Sequence, residues 1–506
     1  MSIETIPTID PRTGEQTGSV PCTPIADIPS RIERARTAQA DWADLDLHTR
    51  KRAISALHQG FLQKAEAIAA SLAEDCGRPA GEAWTAEIVA NHELFGWWLA
   101  HIDDLLTATP IDLNPINYPG KEGRVRLDPK GLIGLITPWN LPVAIPLRTI
   151  IPALLAGNGV VWKPSEHTPK TSDVLGALFD EHLPQDLVQL IQGPGAHGAA
   201  VVDSSMDTII FTGSVKTGRI VQLKAAERGI PCALELGGKD AAVVLDDADI
   251  DRAAHGITWA AFGFAGQNCA AVERCFVHAS VFDRFVAEVQ SRTEALRAGI
   301  DVGPLVTEAQ LKTVQRHLDD ALSRGASIVC GGGDVGPGYF HPPTVLTQVP
   351  PDALVMKEET FGPLLPIVSF EDPNALAELV NDTPFGLTTS VWTKNVAYGE
   401  ALSEQFDCGV VTINNHSFSG ALASAAWGGT KDTGHGVTNS RFALYEMTRP
   451  RTIVVDRSKQ REMWWYPYND ALAKVTLGLV ELSRSGGNRL PALGQVVAGL
   501  MRRWKE

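Results

Sequence analysis

Five short apolar segments alternate with helical patterns between residues 131 and 235, and this alternation constrains the fold more than any other feature of the sequence. The predicted strands are Leu132–Ile136, Gly159–Trp162, Val188–Ile191, Thr208–Phe211 and Cys232–Leu234. The predicted helices between them include Leu141–Ala156, Thr171–His182 and Thr217–Arg228. Such alternation indicates a parallel sheet covered by helices on both faces, with ligands bound at the carboxyl ends of the strands.

The sequence on either side of this region adds more helices and a second α/β region. Residues 28 to 106 carry apolar side chains at helical spacing, which predicts the helices Ile28–Trp42, Thr49–Cys76 and Gly81–Leu106. A second alternation runs from Asp249 to about Trp427, with helices Phe282–Ala298 and Glu308–Arg324 and strands Ala326–Cys330 and Leu364–Phe370. At 506 residues the chain should divide into two or three domains. The fold class is therefore α/β.

Charge and cysteine content exclude several classes of protein. The net charge of −15 argues against binding to nucleic acid, which requires clustered Lys and Arg. The seven cysteines are scattered and odd in number, and no CxxC pair or His/Cys cluster predicts a metal site or a disulfide framework. The polar N-terminal stretch lacks a secretory signal, and no apolar run is long enough to cross a membrane. A cytoplasmic location is expected.

Cys269 is the first candidate for chemistry. It lies in Phe264-Ala265-Gly266-Gln267-Asn268-Cys269-Ala270-Ala271, where small residues and a glycine precede the thiol. Such a stretch can bring the backbone close to a ligand and leave the sulfur approachable. A lone cysteine is more often a buried structural residue. Here three other stretches supply what a cysteine acting on a carbonyl group requires, so we favour a nucleophile.

The first of these stretches is Glu235-Leu236-Gly237-Gly238-Lys239, whose glutamate follows an apolar run and could act as a general base with a raised pKa. The second, Pro138-Trp139-Asn140, offers an amide that could donate to an oxyanion. The third, Glu358-Glu359-Thr360-Phe361-Gly362-Pro363, offers a carboxylate for a ribose diol and an aromatic ring to confine a planar group.

These four motifs, in this order and at these separations, resemble the aldehyde dehydrogenase superfamily over roughly residues 7 to 458. The resemblance implies that a small-molecule aldehyde is oxidised to a carboxylic acid with NAD, or with NADP. Cys269 would attack the aldehyde carbon, while the Asn140 amide and the Cys269 backbone N–H would stabilise the oxyanion. After hydride transfer, Glu235 would activate the water that hydrolyses the thioester.

The resemblance also implies a domain organisation. Residues 1–106 and 130–237 would form a Rossmann-like, parallel-sheet cofactor-binding domain, and residues 238–430 an α/β catalytic domain. Residues 107–129 and 448–458 would form the small β segment through which family members oligomerise, so a homodimer or homotetramer is expected. Residues 459–506 would be a C-terminal helical extension.

Two stretches are candidates for holding the cofactor. In Lys163-Pro164-Ser165-Glu166, Lys163 could donate to a ribose hydroxyl and Glu166 could accept from the 2′-OH. Because Glu166 would repel a 2′-phosphate, NAD is expected rather than NADP. The alternative is that Ser165 or Glu166 only caps a helix.

The second stretch, Phe211-Thr212-Gly213-Ser214, ends a strand and begins a helix whose N–H groups could take a pyrophosphate oxygen. The GxGxxG match at residues 193–198 is instead interpreted as a turn and helix start, because the expected acidic residue is absent. By resemblance, the remaining cofactor-binding residues are Pro138, Trp139, Gly237, Glu359 and Phe361.

Other functions compete with this interpretation. A CoA-acylating dehydrogenase would pass the acyl group to CoA, but such relatives generally lack the glutamate found here at 235. A thiol hydrolase acting on esters would need no nicotinamide. A non-catalytic binding or structural protein on the same scaffold is disfavoured because Asn140, Glu235, Cys269 and Glu359 are all present. Lys239 is interpreted as a structural ion-pair lysine.

Arg148 lies eight residues after Asn140, which on a helix would leave the two side chains on one broad face. An arginine there resembles the semialdehyde dehydrogenases, in which it meets the carboxylate of the substrate. A planar guanidinium suits a terminal carboxylate because it can donate two parallel hydrogen bonds. The alternative is a salt bridge at a domain interface.

The tail beyond Ser458 differs in charge from the rest of the chain. Residues 459–506 carry eight Lys and Arg and four Asp and Glu, a net charge of +4. The amphipathic stretches Ala471–Leu482 and Leu490–Trp504 could lie on an anionic membrane surface. Packing over the subunit's own entrance or over a partner subunit is favoured instead.

Overall fold

The computed structural model describes residues 4–115, 117–333, 336–459, 461–484, 486 and 489–503. Its helices are α1 Ile28–Ala43, α2 Leu47–Gln63, α3 Ala65–Cys76, α4 Ala80–Glu82, α5 Ala90–Leu106, α6 Ala144–Leu155, α7 Pro169–His182, α8 Gly195–Val202, α9 Val215–Glu227, α10 Ile250–Phe262, α11 Phe282–Glu294, α12 Glu308–Ser323, α13 Leu354–Lys357, α14 Leu376–Asn381, α15 Val396–Ser403, α16 Ser440–Met447, α17 Asp470–Ser483 and α18 Arg489–Arg503.

Its strands are β1 Thr5–Asp10, β2 Glu15–Pro21, β3 Thr109–Ile111, β4 Lys121–Pro129, β5 Leu132–Ile136, β6 Gly159–Lys163, β7 Val188–Leu190, β8 Thr208–Thr212, β9 Cys232–Glu235, β10 Ala241–Val244, β11 Arg274–His278, β12 Ser327–Cys330, β13 Thr344–Thr347, β14 Leu364–Phe370, β15 Phe385–Gly386, β16 Thr388–Trp392, β17 Val410–Ile413, β18 Thr430–Lys431 and β19 Thr448–Asp456.

The first large sheet has five strands in the order β7-β6-β5-β8-β9, and all of its neighbours pair in parallel. Its strands are mostly apolar because both faces are covered. Ile133 and Leu135 of β5 pack into one core, which includes residues of α2, α5, α6 and α7. Leu132 and Ile136 point to the opposite core, with residues of α1, α8 and α9. The predicted doubly covered parallel sheet is confirmed.

The second large sheet has seven strands in the order β12-β13-β14-β11-β10-β16-β17. It is mixed, because β12 pairs antiparallel to β13 while the other neighbours are parallel. A single large core surrounds it and contains side chains of α10, α11 and α12. The α/β fold class is therefore confirmed for both regions.

The chain divides into two compact units, one formed by Met1–Thr107 and Leu127–Pro450 and the other by Ala108–Arg126 and Arg451–Glu506. The first unit holds both large sheets. The second contains most of the three-stranded sheet β19-β4-β3, together with α17 and α18. The predicted division of the larger unit into a cofactor-binding and a catalytic domain stays a prediction.

Two predicted helices in the N-terminal region differ from the structure. The expected helix from 49 to 76 is broken at Lys64, which ends α2 and begins α3, so that α3 packs against α7 and β1. The expected helix from 81 to 106 begins with the one-turn α4 and a π-helical segment, Ala83–Val89, before α5. Neither irregularity carries a Gly or Pro signal at the break. No helix within the described residues is long and apolar enough to span a bilayer.

Candidate active site

The backbone before Cys269 makes a sharp left-handed turn. After α10 ends, Phe264, Ala265 and Gly266 all have positive φ, at 56°, 53° and 70°. Gly266 cannot be replaced without a shift, because a Cβ there would lie 2.3 Å from the carbonyl oxygen of Gly362. The turn therefore holds the cysteine loop tightly against the loop that follows Phe361.

The Cys269 side chain is half-buried beside Trp427 and Leu387. Its Sγ lies 3.7 Å from Oδ1 of Asn268, whose amide donates to the Ser417 hydroxyl at 3.0 Å. Burial raises the pKa of the Cys269 thiol to about 12, and nearby carboxylates add to this while Arg148 opposes it. The thiol is thus protonated at neutral pH, and formation of a thiolate requires a base close by.

Glu235 at the end of β9 has the properties of such a base. Its Oε1 is buried and has no hydrogen-bond partner among the described residues. Burial raises the pKa of this carboxyl to about 7, while Thr438 and the positive charge of Arg148 hold it lower than burial alone would. A carboxylate with an unused oxygen and a pKa near neutrality can accept a proton from a thiol or from water.

Asn140 lies in the turn between β5 and α6 and is buried. The backbone carbonyl oxygen of Asn140 accepts a hydrogen bond from the Arg78 guanidinium. Arg78 also forms a buried ion pair with Glu87 at 3.0 Å. Glu87 also accepts from the N–H of Ala144, the first residue of α6, at 2.7 Å. Glu87 lies in the π-helical segment Ala83–Val89 and Arg78 precedes it. Together they hold the turn that carries the Asn140 amide in place.

We expect Glu87→Gln to lower the free energy of unfolding by about 3–5 kcal/mol, because it removes the carboxylate that pairs directly with the buried Arg78 guanidinium. The thermal midpoint should fall, and any residual aldehyde oxidation should slow because the Asn140 turn loosens. The exposed Glu93→Gln on α5 is the matched control and should leave the midpoint unchanged. An unchanged midpoint for Glu87→Gln would show that the pair does not hold this turn.

Arg148 lies on α6, but Asn140 precedes that helix, which begins at Ala144. The assumption that eight helical residues separate Asn140 and Arg148 is therefore wrong, because the intervening residues first form a turn. The guanidinium instead reaches Gly420, where an added Cβ would lie 3.6 Å from its Nη1. The alternative of a salt bridge is not found, since Arg148 forms no ion pair with any described carboxylate.

Arg148 nevertheless interacts electrostatically with two candidate reacting groups, Cys269 and Glu235. Burial lowers the pKa of its guanidinium, whereas negative charge at Cys269, Glu235 and Glu87 would raise it. The structure therefore places a partly buried positive charge, which forms no ion pair within the described residues, near the candidate nucleophile and base.

Polar atoms with unused hydrogen-bonding capacity lie along the segments that meet Arg148. Ser419 precedes Gly420, and Asn439 donates to the carbonyl oxygen of Gly420 at 3.0 Å. Buried side-chain oxygens of Ser419, Thr438 and Asn439 have no partner among the described residues. Because an unmade buried hydrogen bond costs about 1–3 kcal/mol, this environment suits a polar ligand group or water.

The predicted cofactor residues cluster at the carboxyl ends of the parallel strands. Pro138 and Trp139 follow β5, Lys163 ends β6, and Gly213 and Ser214 follow β8. This edge of a doubly covered parallel sheet is the usual position for a nucleotide.

Lys163 and Glu166 form an ion pair at 3.0 Å, which places a donor and an acceptor side by side. Ser165 accepts from the N–H of His167 at 3.2 Å and so has a local structural role. Ser214 caps α9 by accepting from the N–H of Thr217 at 3.3 Å. The first N–H groups of α9 are thus presented at the sheet edge, as an anion site requires. The glycine-rich stretch 193–198 is confirmed as a turn followed by the start of α8.

Glu359 meets the glycine pair of the Glu235 motif. Its Oε1 accepts from the N–H of Gly238 at 2.9 Å, and a Cβ at Gly237 would lie 2.4 Å from Oε2. Burial raises the pKa of Glu359 to about 8, and the Gly238 N–H partly counters this. The rings of Trp139 and Phe361 are edge-to-face at 5.5 Å, which forms an apolar wall beside the carboxylate.

Glu273 organises this loop and was missed by the sequence interpretation. Its carboxylate accepts from the N–H groups of Thr360 at 2.7 Å and Phe361 at 2.8 Å. It also forms a buried ion pair with Lys239, so the prediction that Lys239 is a structural ion-pair lysine is confirmed. No short motif marks Glu273, because its partners lie 34 to 88 residues away along the chain. Within the described ranges, no group of three or more His, Cys, Asp and Glu could hold a metal ion.

Comparison with known proteins identifies the family to which this arrangement belongs. The model of the aldehyde dehydrogenase family matches residues 1–453. The chain belongs to the aldehyde dehydrogenase family. It is therefore an oxidoreductase that acts on an aldehyde group with NAD(P)⁺.

Three relatives illustrate the similarity. This aldehyde dehydrogenase is 32% identical to a 4,4′-diapolycopene aldehyde oxidase from Methylomonas sp, over 92% of this chain and 88% of that protein. It is 32% identical to a putative succinate-semialdehyde dehydrogenase [NADP(+)] 2 from Mycobacterium bovis, over 88% of this chain and 87% of that protein. A solved Mycobacterium tuberculosis aldehyde dehydrogenase complexed with NAD⁺ superimposes with a TM-score of 0.85 at 29% identity, covering 91% of this chain and 96% of that one.

Proposed function

We propose that this enzyme oxidises an aldehyde to a carboxylic acid through a covalent thioester on Cys269. The observation that carries the proposal is the pairing of a half-buried thiol with Glu235, whose Oε1 is unpartnered and whose pKa is near 7. A structural carboxylate of this depth would be expected to use both oxygens. An unused oxygen beside a nucleophile fits a group that exchanges protons.

The first half of the reaction uses Cys269 and Asn140. Glu235 removes the thiol proton, and Arg148 stabilises the resulting thiolate by charge. The sulfur adds to the aldehyde carbon, and the Asn140 amide and the Cys269 N–H donate to the oxyanion. NAD(P)⁺, when bound, supplies the hydride acceptor. Collapse of the oxyanion with loss of hydride leaves a thioester on Cys269.

The second half uses Glu235 again. Glu235 first passes the thiol proton to solvent water, and its carboxylate then accepts a proton from a second water as that water attacks the thioester carbon. The acid is released and the Cys269 sulfur leaves as a thiolate. Burial of the site limits the entry of other nucleophiles and keeps the carboxyl pKa high enough for proton transfer near neutral pH.

The cofactor fits the edge of the parallel sheet. The N-terminus of α9 at Ser214 would take the pyrophosphate, and Lys163 with Glu166 would hold the adenosine ribose. Glu359 would accept from the nicotinamide ribose, where Gly237 permits close approach. NAD is favoured over NADP because the Glu166 carboxylate would face a 2′-phosphate, although several mycobacterial relatives are named for NADP(+).

Glu166→Ser is expected to raise the kcat/KM ratio of NADP to NAD by roughly tenfold or more, because it removes the charge that repels the 2′-phosphate. Steady-state rates with each cofactor measure this ratio. The matched change Glu181→Ser, at an exposed position near the end of α7, should leave it unchanged. If both variants behave alike, Glu166 does not select the cofactor.

We further propose an acidic semialdehyde as the substrate class. Arg148 forms no ion pair within the described residues, feels the charges of the candidate nucleophile and base, and approaches Gly420, which lies next to Ser419 and accepts from Asn439. A terminal carboxylate would neutralise the guanidinium, while the Ser419, Thr438 and Asn439 side chains offer hydrogen-bonding capacity alongside it. The name of the mycobacterial relative is consistent with this class.

Arg148→Leu should lower kcat/KM for succinic or glutaric semialdehyde by about ten- to a hundredfold, the worth of a charge-assisted contact of ~1.5–3 kcal/mol. Because Arg148 also favours the thiolate, an uncharged aldehyde of similar length measures that separate loss. Arg148→Lys should recover the charge effect but not the bidentate contact. Equal losses for charged and uncharged aldehydes would exclude substrate recognition by Arg148.

The competing chemistries are separated by one product analysis. Purified enzyme is incubated with aldehyde and NAD, with and without CoA, and NADH, acid and acyl-CoA are quantified. The proposal predicts equal amounts of NADH and acid and no acyl-CoA. Acyl-CoA would indicate a CoA-acylating dehydrogenase. Ester hydrolysis without NADH formation would indicate a thiol hydrolase, and no turnover would indicate a binding protein.

We also propose that the enzyme forms a homodimer or homotetramer through the sheet that contains β4 and β19.

A further inference from the structure

The C-terminal tail forms a hairpin whose two helices touch through small residues. A Cβ at Gly478 of α17 would lie 2.8 Å from the carbonyl oxygen of Ala492, and a Cβ at Gly499 of α18 would lie 2.9 Å from that of Ala471. The buried positions of the hairpin are accordingly small or medium in size: Ala471, Val475, Gly478, Ala492, Val496 and Gly499. The backbones therefore approach closely, and the contact between the helices buries few large side chains.

Six of the larger apolar side chains of the hairpin are exposed. Leu490, Leu493, Val497 and Met501 are all exposed, at intervals that place them along one stripe of α18, and Leu490 is 83% exposed. Leu477 and Val480 are exposed on α17. This arrangement is the reverse of a water-facing hairpin, in which large apolar residues fill the interior. Close contact through small residues with large residues outside is typical of helices surrounded by lipid.

An exposed aromatic group precedes the hairpin. It consists of Trp464, Trp465, Tyr466 and Tyr468. Trp464 packs edge-to-face on Tyr118 at 6.2 Å, and Lys121, which pairs with Asp456 at 3.3 Å, lies over the Trp464 ring. The aromatic group is thus attached to the three-stranded sheet of its own unit. Trp and Tyr side chains favour the boundary between headgroups and acyl chains.

Charge distinguishes a membrane from other apolar partners. Residues 459–506 carry a net charge of +4 on a chain whose total is −15. A second copy of the hairpin carries the same positive charge and would repel the first, so charge disfavours packing of one hairpin against another. An anionic lipid surface complements the basic hairpin while accepting its apolar stripe.

We propose that the α17–α18 hairpin docks this enzyme on the surface of anionic membranes. The stripe of Leu490, Leu493, Val497 and Met501 inserts at the level of the acyl chains, and the aromatic group sits at the headgroups. Because neither helix can cross a bilayer, the attachment is peripheral. Membrane attachment does not depend on the chemistry at Cys269, so it can be tested separately from the catalytic proposal.

The test is co-sedimentation of the full chain with vesicles of phosphatidylcholine, with and without phosphatidylglycerol. The wild type should pellet with the anionic vesicles, less at high salt, and remain in the supernatant with phosphatidylcholine alone. Val497→Glu should weaken binding by about tenfold or more. Val396→Glu on α15 is the matched control, since the two valines are 42% and 48% exposed, and it should bind like the wild type.

Leu490→Ser provides a second variant, because a side chain so exposed can be removed without disturbing the hairpin. Both hairpin variants should keep wild-type aldehyde oxidation. Failure of the wild type to bind anionic vesicles, or equal binding by Val497→Glu and Val396→Glu, overturns the proposal. The oligomer mass of the wild type and of Val497→Glu is also measured by light scattering. If the wild type does not bind vesicles and Val497→Glu has a smaller oligomer mass than the wild type, the stripe contacts a second copy of the chain instead.

Discussion

Cys269→Ala should lower aldehyde-dependent NADH formation by at least about 10⁴-fold, because no other group near the site can form the covalent intermediate. Of the seven cysteines, Cys269 alone has a thiol pKa that responds to the charges of both Glu235 and Arg148. The same variant should lose any hydrolysis of activated esters, since that reaction would use the same thiol. The measurement is the initial rate at saturating aldehyde and NAD, together with the rate on a chromogenic ester.

Cys275→Ala is the control for this substitution. The Cys275 side chain lies within β11 in the core of the seven-stranded sheet, where burial raises the pKa of its thiol far above neutrality. Its loss should alter stability slightly and leave catalysis intact. Substantial NADH formation by Cys269→Ala, or a comparable loss for Cys275→Ala, would remove Cys269 from the mechanism.

Glu235→Gln is expected to slow steady-state turnover by ~10²–10⁴-fold, the usual worth of a general base. The amide has nearly the same shape, so the substitution tests proton transfer rather than packing. Because the pKa of Glu235 is raised to about 7, the carboxylate forms as the pH rises through 7. Wild-type turnover should therefore increase across this range and level off above it, whereas the variant should lack that dependence.

Glu358→Gln is a suitable comparison because Glu358 is exposed and pairs with Arg316 on the surface. It should retain both the rate and the pH profile of the wild type. A Glu235→Gln variant with an unchanged rate, or with the wild-type rise near pH 7, would show that another group activates the water.

The strands that position the site were predictable because their signals are local. Leu132–Ile136 and Leu364–Phe370 were predicted to the residue, since each is a mostly apolar run bounded by glycine, proline, polar or charged residues. The motifs around Asn140, Glu235, Cys269 and Glu359 follow strand ends or tight turns, so topology brings them to one region.

The residues that hold the site residues in place were not predictable, because they pair with residues far away in the sequence. Glu273 orients the Thr360 and Phe361 amides from far along the chain, and Arg78 with Glu87 holds the Asn140 turn. The break between α2 and α3 lacks a Gly or Pro and follows from how α3 packs against α7. In these places tertiary contacts override local pattern.

Arg148 illustrates the limit of spacing arguments. Arg148 was predicted to share a helix face with Asn140 and to meet the carboxylate of the substrate, but that helical spacing does not exist, because α6 starts only at Ala144. The turn from Asn140 to Val143 and the approach of Gly420 determine where the guanidinium lies. The tail gives a similar lesson, since its helices were evident from periodicity but their small-residue contact required both partners to be seen together.

The covalent intermediate offers the most direct test of the catalytic account. Glu235→Gln enzyme is mixed with aldehyde and NAD, quenched in acid after one turnover, and digested for peptide mass mapping. The account predicts one equivalent of NADH and an acyl group on Cys269, within the peptide that contains Gly266 to Ala271. An acyl group on another residue, or NADH release with an unmodified Cys269, would contradict it.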